Sequence, residues 1–186
     1  MSILSAFFQQ PRILKYRLLS NNKNITGKAH FNQPVLLTGK GKISFGKNVQ
    51  LGFFPSPFFY SGYIHLESRT ENASIEIGDN VLINNNFYAI SEGEGIHIGS
   101  NTLIGLNCEI IDSDFHDLDA GKRLNGNPVS KKVILGANVF LGNNVKITKG
   151  VVLGSNVVVA NGALVTSSFD DNVIIGGVPA KIIGRL

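Results

Sequence analysis

Aliphatic side chains recur every six residues from Val133 to Thr166, where the chain reads VILGAN, VFLGNN, VKITKG, VVLGSN, VVVANG, ALVT. The third place of each unit holds Leu135, Leu141, Ile147, Leu153, Val159 and Val165. The first holds Val133, Val139, Val145, Val151, Val157 and Ala163. Strand positions two apart share a face, so both sets point to one side. Gly, Ala or Thr usually follows the third place and Asn or Gly closes the unit, residues that tolerate a tight corner. A period of six cannot hold a 3.6-residue helical stripe on one face. The pattern predicts a parallel β-solenoid of short strands, three units to a triangular coil.

The register begins earlier. IEIGDN and VLINNN put Ile77 and Ile83 at the third place, and IHIGSN, TLIGLN and CEIIDS put Ile98, Ile104 and Ile110 there. A fainter version runs from Ile43 to Leu51. The expectation is one domain over 1–186, with the β-helix at 35–166. Residues 2–20 have helical apolar spacing (Ile3, Leu4, Phe7, Phe8; Ile13, Leu14, Leu18) with a basic face of Arg12, Lys15 and Arg17, and predict a short cap on the open first coil, with contact to a membrane surface as the alternative. Pro11 is expected to start a second helix or kink the first. Residues 53–63, FFPSPFFYSGY, predict a loop packed on a neighbouring coil. Residues 167–186 predict a tail covering the last coil, with Ala180–Leu186 as a short helix or strand.

One interruption matters most. Ile110 and Leu135 are equivalent third places twenty-five residues apart. A loop over 111–132 therefore leaves the solenoid, carrying Asp112, Asp114, His116, Asp117, Asp119, Lys122 and Arg123. Long loops on rigid scaffolds commonly carry function.

Composition narrows the classes. Of 186 residues 43% are apolar and 16% charged, which suits a continuous aliphatic column. The net charge of +4 comes without a Lys/Arg run interleaved with aromatics, so nucleic acid is not the expected partner; a small phosphorylated ligand fits better. The single cysteine leaves no internal disulfide and suits a reducing compartment. No apolar run reaches the ~18–20 residues of a spanning helix, and the N-terminal residues lack signal-peptide character. The expected location is cytoplasmic, without an integral membrane segment.

The Asp112-Ser-Asp-Phe-His116 loop with Asp119 and Arg123, the six units after Pro128-Val129, and the terminal Gly176-Gly-Val-Pro-Ala-Lys181 resemble the hexapeptide-repeat acyltransferases. The resemblance is to the maltose/galactoside acetyltransferase-like group and its polysaccharide O-acetyltransferase branch, and it covers about residue 75 to the end. It implies an all-β fold, a left-handed parallel β-helix, and a homotrimer with sites between subunits. It also implies acetyl-CoA as donor. The acceptor would be a sugar, nucleotide-sugar or glycan.

The chemistry can be argued beside this. Thioester-to-hydroxyl transfer by direct attack needs a base and donors for the oxyanion, not a covalent intermediate. His116 is the natural base. Asp114, two residues away, is the first choice for orienting it, with Asp112, four away, or a carboxylate from elsewhere as alternatives. Gly142 is the choice for a backbone oxyanion donor. The family pattern maps CoA onto Gly142-Asn143, Asn161, Thr166-Ser167, and Lys181 with Arg185 as phosphate cations. Phe140 stands where relatives usually carry Trp. Asn86 and Arg123 are the acceptor candidates. No close histidine pair exists and no metal is expected; Cys108 falls at an inward place and reads as core. The alternatives are N-acetylation of an amino-sugar nucleotide or another amine and, more distantly, a non-catalytic scaffold. The outward places lack the threonine rows of an ice-binding prism.

Overall fold

The computed structural model describes residues 3–186. Helix α1 (Ile3–Leu19) leads into a left-handed parallel β-helix with three flat faces. The first face stacks Ile25–Thr26, Lys42–Phe45, Ser74–Ile77, Ile96–Ile98, Val133–Leu135 and Val152–Leu153. The second runs from Ala29–Phe31 through Leu103–Ile104 and Phe140–Leu141 to Val173–Gly177. The third runs from Val35–Gly39 through Glu109–Ile111 to Leu164–Val165. Pairing between the named strands is parallel, except for Ala180–Arg185 folding back on Val173–Gly177.

Both sets of inward places are buried, from Val133, Leu135, Val139 and Leu141 to Ala163 and Val165, each at most 1% exposed. In uninterrupted coils the register advances by eighteen residues, as in Ile134 beside Val152 and Phe140 beside Val158. The corners are held by asparagines. Asn48, Asn80, Asn101, Asn138, Asn156 and Asn172 all take a left-handed φ near 60°. That conformation suits a short polar side chain better than other non-glycine residues. Their amides form ladders, with Asn48 donating to Asn80 at 3.0 Å and Asn138 to Asn156 at 2.8 Å. A second corner repeats this with Asn86, Asn107 and Asn144.

Strand pairing reaches from Ile25 to Arg185, wider than the 35–166 read from the repeats. The tail is a strand hairpin on the second face, not a helix. α1 continues through Pro11 without a second helix. Its orientation is also not the one a simple cap would have. It buries Ile13 together with Ser5 and Gln9, while Leu4, Phe7, Phe8, Leu14 and Leu18 are exposed. Polar anchors set that orientation. Gln9 Nε2 donates to the Phe59 carbonyl at 2.8 Å, and Arg12 donates to the Phe59 and Gly62 carbonyls at 3.0 and 2.6 Å. The 53–63 loop thus lies against α1. From its other side Asn85, fully buried, donates to the carbonyls of Phe53, Ser56 and Pro57.

Candidate active site

The long loop leaves the solenoid at the corner between the third and first faces, after Glu109–Ile111 and before Val133–Leu135. Its root is Asp112. This carboxylate is fully buried and accepts hydrogen bonds from Ser91 Oγ (2.8 Å), Glu92 N (2.7 Å) and Gly95 N (2.8 Å). The Asp112 carbonyl accepts from Lys131 N and Ser130 Oγ, and Ser113 bridges Ser130 antiparallel. Both ends of the loop are therefore fixed to one corner. Arg69 lies over the Phe115 ring at 4.8 Å and adds a contact beside His116.

His116 is exposed, and its Nδ1 sits 3.2 Å from the Arg123 carbonyl oxygen. A carbonyl can only accept, so Nδ1 carries a proton, and in the neutral ring the lone pair lies on Nε2. This corrects the expected role of Asp114. Asp114 pairs with Lys149 Nζ at 2.7 Å, on the next coil, and its second oxygen is buried without a partner among the described residues. A main-chain carbonyl, not a carboxylate, fixes the histidine tautomer. Within this chain the Arg123 carbonyl faces His116 and the Arg123 side chain is exposed. Lys149 was not legible as a site residue, because only the stacking of coils brings it to a loop thirty-five residues earlier.

The remaining expected residues fall into two columns. Gly142, Asn143 and Asn161 lie at the corner between the second and third faces, and the hairpin carrying Lys181 turns at the same corner, with Lys181 beside Gly176. Arg185, at the far end of that strand, pairs with Val173. Thr166 and Ser167 follow Leu164–Val165 and stand with Lys149 at the loop's corner. The third face separates the columns by one extended coil side, at most about 20 Å. Gly142 is corrected as an oxyanion donor: its N–H is committed to the Val159 carbonyl at 2.8 Å. Asn143 N donates to Asn161 Oδ1 at 2.7 Å, so this corner is built of inter-coil bonds. Asn86 also has a structural place, donating to Asn107 in the ladder at 2.7 Å.

The second face carries a groove of about 310 Å³ lined by Phe53, Leu82, Asn84, Leu103, Phe140 and Asn143 among others. Of the Asn84-Asn85-Asn86 run, Asn84 and not Asn86 lines it. His116 belongs to the opposite edge of the third face, so the groove and the histidine are not combined within one chain. Two of the other histidines have side-chain partners. His65 bonds Thr38 Oγ1 at 2.9 Å and burial lowers its pKa, while His97 meets Glu76 at 3.3 Å. Cys108 is fully buried, with its thiol pushed up to about 11 by desolvation, which makes it a poor nucleophile at neutral pH.

Comparison with known proteins agrees with this architecture. The family profile for bacterial transferase hexapeptide (six repeats) matches residues 132–167, and that for the hexapeptide repeat of succinyl-transferase matches 95–112. A Saccharomyces cerevisiae protein provisionally named an acetyltransferase (YJL218W) is 36% identical over 132 residues, covering 65% of this chain and 67% of the yeast protein. The galactoside O-acetyltransferase of Escherichia coli is 35% identical over 127 residues, covering 62% of each chain. Among solved structures, the N-acyltransferase AntD of Bacillus cereus, in complex with dTDP-4-amino-4,6-dideoxyglucose and coenzyme A, superposes with a TM-score of 0.59. It is 24% identical, with 95% of this chain and 89% of that one covered. The chain belongs to the hexapeptide-repeat acyltransferases, in their maltose/galactoside acetyltransferase-like group.

Proposed function

We propose that the protein transfers acetyl from acetyl-CoA to a hydroxyl of a sugar or glycan precursor, with His116 as general base. The observation that carries this is the bond from His116 Nδ1–H to the Arg123 carbonyl, which leaves Nε2 as an acceptor on an exposed ring. Nε2 removes the acceptor's proton as its oxygen attacks the thioester carbonyl. The tetrahedral adduct then collapses, and the imidazolium returns the proton to the departing thiolate. No enzyme-bound acyl group forms. The oxyanion is met by a donor other than the Gly142 amide. Reliance on acetyl-CoA suits a cytoplasmic enzyme of polysaccharide assembly.

A homotrimer completes the site in this reading. Leu103 and Phe140 are 44% and 46% exposed on the second face of a single chain. Cyclic packing covers such a face and brings a neighbour's His116 loop to the groove that its own chain cannot supply. The acceptor would lie near Asn84 in that groove. CoA would run along the corner of Gly142, Asn161 and Lys181. Lys181, exposed at the hairpin, is expected to meet a phosphate of the nucleotide half. Lys181→Ala should weaken CoA binding about tenfold, and leave a pantetheine fragment without those phosphates nearly unaffected. Calorimetric titration of both ligands checks this.

A second reading is N-acetylation, favoured by the amino-sugar nucleotide held by AntD. A panel of sugars and nucleotide sugars incubated with acetyl-CoA, followed by mass spectrometry, tests both. O-acetyl esters are expected, and mild alkali should remove the added mass. An alkali-stable product would establish the amine reading, and no product from any acceptor would remove the proposal.

A further inference from the structure

α1 turns its apolar side chains to solvent. Leu4, Phe7, Leu14 and Leu18 are 67%, 72%, 55% and 78% exposed. Their spacing of three and four residues, with exposed Pro11 between, makes one stripe along the helix. Phe8 flanks it, edge-on to Phe7 at 5.5 Å. The face toward the protein is the polar one, held by Gln9 and Arg12. The neighbouring loop adds exposed Phe54, Phe58 and Tyr60. A stripe of this size is unusual on a solvent-facing surface.

The charge around it has one sign. Residues 1–66 contain eight Lys and Arg and no Asp or Glu, so all 13 acidic residues lie from Glu67 onward. Lys15 projects from the exposed side of the helix. Arg17, Lys28 and His30 line a cleft between α1 and the first coil, whose apolar lining includes Ile13, Phe31 and Phe45. Cations beside an apolar helical stripe and exposed aromatics match an interfacial helix on anionic lipid.

We infer that this end of the molecule docks on a bilayer surface bearing anionic lipids, with α1 lying in the interface plane. Charge decides against the same helix of a second copy as the occupant. Two such helices would bring Lys15 and Arg17 together with no acidic side chain on either to pair them. A bilayer offers both the hydrocarbon and the negative headgroups. Each cation near such a surface contributes roughly fivefold to partitioning, and each inserted Phe or Leu roughly tenfold.

Flotation of the full chain with equimolar phosphatidylcholine–phosphatidylglycerol vesicles, and with phosphatidylcholine alone, tests this. Binding is expected to the anionic vesicles, and should fall about tenfold or more in high salt or with Lys15→Glu/Arg17→Glu. Phe7→Ser/Leu18→Ser should cause a similar loss while far-UV circular dichroism and sedimentation stay unchanged. No flotation with the anionic vesicles, or equal binding to both compositions, overturns the inference. A lower sedimentation mass for Phe7→Ser/Leu18→Ser would also overturn it, because the stripe would then be a contact between copies.

Discussion

His116→Ala should lower kcat by about 10²–10⁴ and leave the fold intact. The ring is exposed, and its hydrogen bond among the described residues is to the Arg123 carbonyl. Removing it leaves no buried group unpaired and no cavity, so the thermal midpoint should stay at the wild-type value. The loss should fall on kcat more than on KM for acetyl-CoA, since the proton moves in the transition state and not on donor binding. Thiol release from acetyl-CoA with the acceptor identified by the sugar panel measures it. Wild-type turnover in a folded variant would remove His116 as the base. Asp114→Ala discriminates further. It breaks a pair with Lys149, not a contact with His116. Its effect should therefore be smaller than that of His116→Ala, and should follow loosening of the loop.

Asp112→Ala should be the more damaging change to stability. The carboxylate is fully buried, and its removal takes the acceptor from Ser91 Oγ, Glu92 N and Gly95 N. Unpaired donors of this kind cost about 1–3 kcal/mol each, and the expected total is about 3–5 kcal/mol. For a chain of this length that lowers the thermal midpoint by about 10 °C. The same loss frees the root of the loop, so limited proteolysis should cut between 113 and 130 in the variant before the coils are touched. Activity should fall with it, because His116 is carried by that loop. Asp112→Asn keeps the shape and one acceptor oxygen, and should lie between the two. If Asp112→Ala kept the wild-type midpoint and loop protection yet lost turnover, Asp112 would be part of the chemistry instead of its support.

The contrast between these two aspartates shows what sequence could determine. Asp112 and Asp114 stand four and two residues from His116, and a spacing of that kind does not say which way a loop residue points. Asp112 is claimed by donors on the preceding coil and Asp114 by a lysine on the following one, so neither reaches the imidazole. Gly142 makes the same point for the backbone. Its lack of a side chain is plain in the sequence, but whether its N–H is free depends on the coil stacked upon it, and there it meets the Val159 carbonyl.

The coils themselves were legible because each unit solves a local problem. A period of six with apolar first and third places fixes which side chains enter the column, and the closing asparagines supply the left-handed corner that follows. The displaced loop was legible for the same reason, as a break in that period. α1 could be read as an amphipathic helix, but not as one turned outward. Its polar anchors to Phe59 and Gly62 come from a segment nearly fifty residues away. Sequence determined the prism and the histidine mounted on it, since those rest on neighbours along the chain. Tertiary structure decided the partner of every polar group around that histidine, since burial lets a carboxylate or an amide bond only to what stacking places within about 3 Å.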